Sequence, residues 1–506
     1  MKFTFDELKK KLLSGEGVDL ECKEAESTVP KSVYESYSAF ANTNGGDIIF
    51  GIKENKKEKN PEKRFEIQGI KNAIKQKEDF WNTINGSKVN TNILVDDDVY
   101  VVADGEVELL VIHVPRAEYN LKPIYVGENP YKGTFKRNNE GDYHATEHEV
   151  RAMIRDQNPN GNDSTIIEYY TMDDIDPETF RAYRQMFRVM NPEHVWNSCD
   201  DKEFLTMLGG YRNDRKAGVE GLTVAGLLMF GKGLPIRDVF DNIFMDYRDE
   251  SNVSTDVRWN DRITYDGTWE NNLFNFFTKV TRKLTEDLKK PFKLENIERV
   301  DDTPVHKAVR EAFVNLIIHS DYLMDAGVLK VIKKANGFEF TNPGVLKLPK
   351  EEIYHGGLSK ARNPKMQTML RMVGFGDNAG SGFPAILETW KSNGWVEPEL
   401  IENTVLNQVT LVLSFEEPSE KTIGKNHRKK PSEKTIGKIK TAKTAENKQK
   451  IIAYISSNGK AKRADISELL GLAEARTREL ITEMVDEGLL DAVGEGRSRH
   501  YILPNK

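Results

Sequence analysis

The segment from residue 16 to residue 54 constrains the fold of this chain more than any other. An apolar run at residues 48–50 and 52 follows directly after Asn44-Gly45-Gly46. A nearly continuous run of this length is typical of a strand buried on both faces. Asn and Gly before it tolerate the left-handed backbone of a tight turn. Because residues 33–41 carry apolar side chains at helical spacing, the segment predicts strand, helix and strand in an α/β domain.

Four charged residues frame this segment. Glu21 and Lys23 fall on one face of a short predicted strand, because strand side chains alternate with a period of two. Glu16 precedes that strand and Glu54 ends the next one. We expect Glu16, Glu21 and Glu54 to share a metal site, since Mg²⁺ and Mn²⁺ prefer carboxylate ligands. The alternative is a phosphate-binding scaffold in which Glu21 and Lys23 merely pair across the strand face.

A chain of 506 residues is too long for one core. The turn-rich residues 158–163 predict a boundary between an α/β domain at 1–157 and a second α/β region at 164–417. Residues 419–450 hold 11 Lys/Arg against 3 Asp/Glu and repeat the octapeptide PSEKTIGK. A flexible basic linker is therefore expected at 418–446. No apolar run has the length of a membrane span, and two cysteines form no disulfide framework, so the expected compartment is the cytoplasm.

Residues 447–506 predict three short helices and a Gly-centred hairpin, the order of a winged helix-turn-helix. Arg476 and Arg478 on the recognition helix, with Arg497 and Arg499 on the wing, are the expected DNA contacts. The alternative is a docking or dimerisation module, because residues 451–506 carry 8 basic and 9 acidic side chains.

A second basic group lies in the first domain. Lys132, Lys136 and Arg137 flank Phe135 in a strand-like piece and are expected to contact a nucleic-acid backbone beside an aromatic ring. A solvated strand face is the alternative.

The runs LECKEA and SAFANTNGGDIIFGI resemble the Schlafen-type AlbA (AlbA_2) domain. The resemblance implies an AlbA/Schlafen-like α/β N-terminal domain. In RNA-cleaving Schlafen members three acidic residues form the active site, and here Glu16, Glu21 and Glu54 match them, with Lys23 as the family lysine. Glu54 replaces a shorter Asp and Cys22 replaces a Phe. The implied cofactor is Mg²⁺ or Mn²⁺.

The runs REAFVNLIIHSDY, FTNPGVL, RNPKM and AGSGFPAI resemble RecG-related predicted regulators with a GHKL-type ATP-binding fold. A GHKL-like α/β middle domain would use Glu311 as the water-activating base and Asn315 as a Mg²⁺ ligand. Gly380 and Gly382 would let the backbone approach the phosphates of ATP. The usual Asp-x-Gly-x-Gly motif is not visible, and no Walker A or helicase motif set is present. The alternative is a dimerisation scaffold.

The resulting expectation is an α/β multidomain protein with a C-terminal winged helix. Its first predicted function is that of a metal-dependent Schlafen-like endonuclease acting on RNA, with tRNA as a plausible substrate. The nucleotide-binding region would regulate it, and defence against phage or stress would be its setting. The alternative is a ligand- or ATP-responsive DNA-binding transcriptional regulator without nuclease activity. A homo-oligomer is expected, because one AlbA-type lobe leaves open a face where Schlafen enzymes use two.

Overall fold

A computed structural model describes most of residues 2–417 and scattered positions after them. The described residues are 2–13, 15–55, 58, 60, 64–240, 243–253, 257–288, 294–295, 298–299, 302–324, 327–376, 382–404, 406–417, 451, 454–455, 460–462, 465–467, 477, 481, 484–485, 489–493 and 500–503. They divide into two compact units, Met1–Glu417 and Pro418–Lys506. The mixed helices and sheets agree with the predicted α/β multidomain class.

The N-terminal part of the first unit is built on a four-stranded mixed sheet. Its strands are β1 (Leu20–Lys23), β2 (Gly46–Phe50), β5 (Val99–Asp104) and β6 (Val107–Val114). They lie in the order β1-β2-β6-β5, with β1 parallel to β2 and β6 antiparallel to both of its neighbours. Asp104-Gly105 lies between two β-rich runs, a pattern that predicts a hairpin. The hairpin is present and joins β5 to β6, and Gly105 adopts a φ of 62° there.

Helices cover both faces of this sheet. On one face, Ile48 and Phe50 pack in a core with α2 (Val33–Asn42) and α3 (Ala73–Ile84). On the other, Ile49 packs with α1 (Phe5–Leu12). Because successive side chains of β2 enter opposite cores, all five of its residues are buried. The predicted two-sided burial is confirmed.

Two hairpins and two helices complete this part. The hairpins pair β3 (Ile52–Glu54) with β4 (Phe65–Ile67), and β7 (Phe135–Asn138) with β8 (Gly141–His144). The helices are α4 (Pro130–Gly133) and α5 (Glu147–Asp156). Thr146 caps α5 and shares a reciprocal capping box with Glu149, as the sequence pattern predicts.

Helices and a second sheet form the rest of the first unit. The helices are α6 (Pro177–Met190), α7 (Asp201–Leu208), α8 (Val224–Phe230), α9 (Gly233–Val239), α10 (Leu273–Thr285), α11 (Pro304–His319), α12 (Lys350–His355), α13 (Pro364–Met372) and α14 (Gly382–Ser392). Two small antiparallel pairs are β9 (Tyr211–Asp214) with β10 (Val219–Leu222), and β13 (Leu294–Glu295) with β14 (Glu298–Arg299).

The second sheet has six strands. They are β11 (Ile243–Asp249), β12 (Asp261–Thr264), β15 (Gly327–Lys334), β16 (Gly337–Pro343), β17 (Glu399–Asn403) and β18 (Gln408–Ser414). Their order is β12-β11-β15-β16-β18-β17, and only β11 and β15 are parallel. Asn336-Gly337 between two β-rich runs predicts a hairpin, and this hairpin joins β15 to β16. α11 packs on this sheet, where the ring of Phe313 lies 6.3 Å from that of Phe340.

The predicted linker at residues 158–163 is docked against α13 and the residues before it. The backbone N–H of Asn162 donates to the carbonyl of Arg362, and the Asp163 carboxylate accepts from the N–H groups of Lys365 and Met366. Residues 158–163 therefore accept hydrogen bonds from backbone N–H groups in the first turn of α13. This contact lies within the single compact unit Met1–Glu417.

In the second unit, β19 (Asp491–Val493) pairs with β20 (His500–Ile502), consistent with the predicted C-terminal hairpin. The predicted linker from residue 418 and the four arginines Arg476, Arg478, Arg497 and Arg499 lie outside the described residues. Among the residues that are described, no helix combines the length and apolarity that crossing a membrane requires.

Candidate active site and ligand cavity

Glu21 and Lys23 lie on one face of β1, as the alternation of the strand predicts. The Lys23 ammonium donates to Glu21 Oε1 over 2.7 Å, while Leu20 and Cys22 are buried. Both charged side chains are largely enclosed, with 17% and 12% of their surfaces exposed. The pairing across the strand face is therefore present.

Glu16 reaches the same place from the turn before β1. Its Oε1 accepts a hydrogen bond of 2.6 Å from the backbone N–H of Cys22. Burial, followed by the negative charge of Glu21 and then that of Glu54, raises the pKa of Glu16 to about 7. The three predicted carboxylates are thus near enough to repel one another.

Glu54, at the end of β3, is held by an arginine. The Arg64 guanidinium donates to Glu54 Oε1 from Nε at 2.8 Å, and its Nη2 lies 2.6 Å from the same oxygen. Arg64 also contacts Glu140 at 3.4 Å. The Glu54 carboxylate is almost fully enclosed, with 9% of its side chain exposed.

Arg137 lies beneath the cluster, with only 2% of its surface exposed. It donates to Glu21 Oε2 over 2.7 Å and to Asp142 Oδ1 over 2.9 Å. Its other guanidinium hydrogens go to the carbonyls of Gly17 and Leu20. Arg137 was expected to contact nucleic acid, but every guanidinium nitrogen is already engaged, so it holds Glu21 and the preceding turn instead.

The basic residues occupy the carboxylate oxygens of this cluster. Lys23 and Arg137 take the two oxygens of Glu21, and Arg64 takes one of Glu54. In the described part of the chain, no group of three or more His, Cys, Asp or Glu side chains is arranged so that it could hold a metal ion. In the acidic cluster, defined as Glu16, Glu21 and Glu54, the carboxylates of Glu21 and Glu54 are therefore ion-paired, while Glu16 accepts from the Cys22 N–H.

A cavity in the middle region brings together three of the four predicted nucleotide-binding residues. Glu311 and Asn315, one turn apart on α11, line it with Gly382 at the start of α14. Its volume is about 1030 Å³, counting the space at its open mouth. Asn342 also lines it. Gly380 lies outside the described residues.

Gly382 is the point of closest approach between two elements of this cavity. A Cβ atom at this position would lie 1.9 Å from Glu311 Oε1. A larger residue here would therefore require the Glu311 carboxylate or the start of α14 to move.

Positive charge faces the same cavity. Lys347 is partly buried and Lys360 is exposed, and neither forms an ion pair with a described carboxylate. Burial, together with Arg362 and Lys360, lowers the pKa of Lys347 despite the opposing effect of Asp156. Two cations without carboxylate partners suit an anionic ligand.

Lys132 and Lys136 were predicted, together with Arg137, to contact a nucleic-acid backbone, and the surroundings of the two lysines differ. Lys132, on α4, is exposed. Lys136 pairs with Glu149 at 2.5 Å and also donates to the carbonyl of Thr404, so it is turned towards the middle region. Of the three predicted residues around Phe135, only Lys132 has its side chain open to solvent.

Four segments of the chain match models of protein families. Residues 16–146 match the model described as "Schlafen, AlbA_2", and residues 331–413 match "Putative ATP-dependent DNA helicase recG C-terminal". Residues 445–491 match "Winged helix-turn-helix DNA-binding". All three predicted resemblances are confirmed. A domain of unknown function, DUF8451, matches residues 151–246, across the predicted boundary. The AlbA_2 and winged-helix matches indicate a nucleic-acid-binding protein.

Two solved structures resemble the chain at low similarity. The DIP2311 protein from Corynebacterium diphtheriae is 18% identical, with 96% of this chain and 94% of that one covered and a TM-score of 0.37. The N-terminal domain of a putative ATP-dependent DNA helicase RecG-related protein from Nitrosomonas europaea is 23% identical, with 29% and 95% covered and a TM-score of 0.22. Neither TM-score supports an inference. No curated protein matches the sequence.

Two site residues of the AlbA_2-like domain, Arg64 and Asp142, were not predicted from the sequence. Arg64 lies in a polar segment with no periodicity, and nothing local indicates its ion pair with Glu54. Asp142 could have been predicted from the sequence. The turn residues at 138–141 place it opposite Arg137 in the β7–β8 register.

Proposed function

We propose that the AlbA_2-like domain binds RNA and cleaves its phosphodiester bonds at the acidic cluster with the help of a divalent metal ion. The observation that supports this most directly is the gathering of Glu16, Glu21 and Glu54, which come from two separate segments, next to Lys23. Mutual repulsion among carboxylates is costly in a partly buried site, so their proximity favours a functional role over a purely structural one.

The chemistry of the donors fits Mg²⁺ or Mn²⁺, which are bound by carboxylate oxygens. Glu16, Glu21 and Glu54 would hold the ion. A divalent ion held there would polarise a water molecule for attack and offset charge on the phosphate. Arg64 and Lys23 now compensate the same carboxylates, so ion binding requires these side chains to exchange partners.

The side chains of the chain itself prepare the site. Arg137 orients Glu21 through its 2.7 Å hydrogen bond and fixes the turn that carries Glu16 through the Gly17 carbonyl. Lys23, once released from Glu21, would neutralise a phosphate oxygen of the substrate. Orientation of this kind is what a preorganised site requires.

Incubation of the purified chain with tRNA or single-stranded RNA tests this proposal, with Mg²⁺, Mn²⁺ or a chelator. Glu16→Gln keeps the acceptor for the Cys22 N–H but removes the charge, and we expect at least a 100-fold loss of cleavage. The matched control is Glu147→Gln on the exposed face of α5. Equal RNA loss with wild type and Glu16→Gln would contradict the proposal.

We further propose that ATP occupies the cavity lined by Glu311, Asn315 and Gly382 and regulates the AlbA_2-like domain. The close approach of Gly382 to Glu311 and the unpaired charges of Lys347 and Lys360 support an anionic nucleotide there. Calorimetric titration with ATP and Mg²⁺ tests it. Asn315→Ala should weaken binding at least tenfold, whereas Glu178→Gln on the exposed side of α6 should not. Absence of heat with wild type would contradict it.

A second candidate function is DNA-binding regulation without cleavage. The winged-helix match at residues 445–491 favours it, as does the ion pairing of the acidic cluster. Selection of bound sequences from random duplex DNA distinguishes the two. Enrichment of one palindromic site together with inactive RNA assays would favour the regulator, and no enrichment would count against it.

Three further predictions belong to this proposal. A cytoplasmic location fits the two cysteines, Cys22 and Cys199, which are both free thiols. A homo-oligomer would close the open face of the single AlbA_2-like domain. A role in defence against phage or in stress rests on the Schlafen resemblance.

A further inference from the structure

A second cavity, of about 660 Å³ including its mouth, lies between the AlbA_2-like domain and the middle region of the same compact unit. One wall comes from residues 42–44, the Asn-Thr-Asn part of the family signature, and from α5. The opposite wall comes from residues 344–345, Arg362 and the loop at 402–407. We call it the interdomain cavity.

Three of its basic side chains are already paired, and a fourth pair lies at its edge. Arg362 binds both oxygens of Asp156 at 2.8 Å, and Lys136 binds Glu149 at 2.5 Å. The third lining side chain, Arg116, lies 3.8 Å from Glu402. The fourth pair is at the edge, where Arg155, just outside the lining, contacts Asp321 at 3.1 Å. These four pairs use every carboxylate that lines the cavity: Glu149, Asp156, Asp321 and Glu402.

Lys122 is the lining cation that remains. It is 9% exposed, and its ammonium donates to the backbone carbonyl of Asn42 over 2.7 Å. No ion pair joins it to a carboxylate among the described residues. Burial, and then the nearby charge of Arg116, lowers its pKa well below the usual range, although the more distant charges of Glu402 and Asp156 oppose this shift.

A buried ammonium without a counter-ion is costly, because transfer of a lone charge from water is repaid only by a partner of opposite sign. Arg116 is poorly compensated as well, since its closest carboxylate is at 3.8 Å. The four lining carboxylates balance the four lining cations, and Arg155 just outside, which takes Asp321, brings one positive charge in excess. Lys122 is left beside empty space and the apolar side chains of Ala152, Met153 and Val345.

We infer that the interdomain cavity binds a small oxyanion, a carboxylate or a phosphate, whose charge pairs with Lys122 and Arg116. Such a ligand supplies the missing counter-charge and touches both parts of the unit at once. It would therefore stabilise their packing, because a ligand that binds only the folded state raises the temperature of unfolding. This inference is independent of the proposed nuclease activity and of ATP binding.

The test is a calorimetric titration and a thermal unfolding series on the full chain at constant ionic strength, with inorganic phosphate in one arm and succinate in the other. Sodium chloride is the control for screening. We expect one of the two anions to bind and to raise the unfolding temperature. The arm with the higher affinity identifies the ligand class.

Variants locate the site. Lys122→Met keeps the aliphatic stem and removes the charge, and it should weaken binding at least tenfold. Arg116→Gln, which keeps a donor near the Leu346 carbonyl, should do the same and serves if Lys122→Met does not fold. Lys75→Met, at an exposed lysine of α3 that lines neither cavity, is the matched lysine control and should retain binding. Full binding in both Lys122→Met and Arg116→Gln, or no response of wild type to either anion, would overturn the inference.

Discussion

At the scale of single residues, the charge of the His319 imidazole depends on its surroundings in the cavity lined by Glu311, Asn315 and Gly382. Burial, then the positive charges of Arg362 and Lys347, lowers its pKa to about 4. The imidazole is therefore neutral at physiological pH. Because the unfolded chain takes up a proton near pH 6.5 that the folded chain refuses, this histidine's contribution to stability is present above pH 6.5 and is lost as the pH falls towards 4.

We predict that the ring of His319 titrates below pH 5 in an NMR experiment on labelled histidines. Lys347→Met removes one of the two cations and should raise this pKa, because less repulsion opposes the imidazolium. Lys132→Met, at an exposed lysine outside the cavity, is the control and should leave it unchanged. A pKa of His319 near 6.5 in wild type would contradict the environment described.

Gly382→Ala is a second residue-scale prediction. The added methyl group would meet Glu311 Oε1 at 1.9 Å, so either the carboxylate or the start of α14 must move. We expect a loss of about 1–3 kcal/mol in unfolding free energy and at least tenfold weaker ATP binding. Denaturant unfolding and calorimetry measure both. Ser392→Ala, at the exposed end of the same helix, should change neither, and unchanged behaviour of Gly382→Ala would refute the close approach.

At the scale of elements, the turn from α2 to β2 depends on its two glycines. Gly45 has a φ of 75°, and a Cβ there would lie 2.7 Å from the carbonyl oxygen of Val114 on β6. A Cβ on Gly46 would lie 2.5 Å from the ring of Phe40. The turn therefore brings β2 close to both the helix before it and the neighbouring strand.

Gly45→Ala should destabilise the chain by roughly 2–4 kcal/mol, which combines the cost of positive φ with that of the contact. Gly105→Ala is a matched control, because Gly105 also has a positive φ but nothing lies within 4 Å of its Cβ position. It should cost only about 1–2 kcal/mol. Equal losses of unfolding free energy in urea would show that the contact with β6 is unimportant.

At the scale of the whole molecule, a buried ion pair connects the AlbA_2-like domain to the middle region. Arg362 binds Asp156 at the end of α5 and also donates to the carbonyl of Val345, beside the two cavities. Thr43, in the wall of the interdomain cavity, accepts from the backbone N–H of Arg137, which holds Glu21. Hydrogen bonds thus connect the wall of the interdomain cavity, through Thr43 and Arg137, to Glu21 of the acidic cluster.

Asp156→Asn should destabilise the first unit by about 3–5 kcal/mol, because it leaves the Arg362 guanidinium buried without a counter-charge. Glu147→Gln, which breaks the exposed pair with Arg151, should change stability by less than about 0.5 kcal/mol. Urea unfolding of the full chain measures both. A loss below about 1 kcal/mol for Asp156→Asn would mean that the pair is open to solvent.

Local patterns were sufficient for the strands and for much of the candidate site. The apolar run of β2, the Asp104-Gly105 and Asn336-Gly337 hairpins and the spacing of Glu311 and Asn315 are all present as expected. The partners of the charged residues were beyond such patterns. Arg137 and Glu21 are 116 residues apart in sequence. The alternation of side chains along a strand predicts which face is polar, but it does not identify the distant residues that pack against that face.

The sequence by itself determined the α/β class, the three family resemblances and the residue types available for chemistry, because periodicity, turn residues and short motifs are local. Only the tertiary structure decided that Arg137 is buried beneath Glu21, that the turn-rich residues 158–163 are docked, and that Lys122 lines a cavity without forming an ion pair to a described carboxylate. Burial and charge compensation depend on contacts between distant segments, so they arise only when those segments pack together.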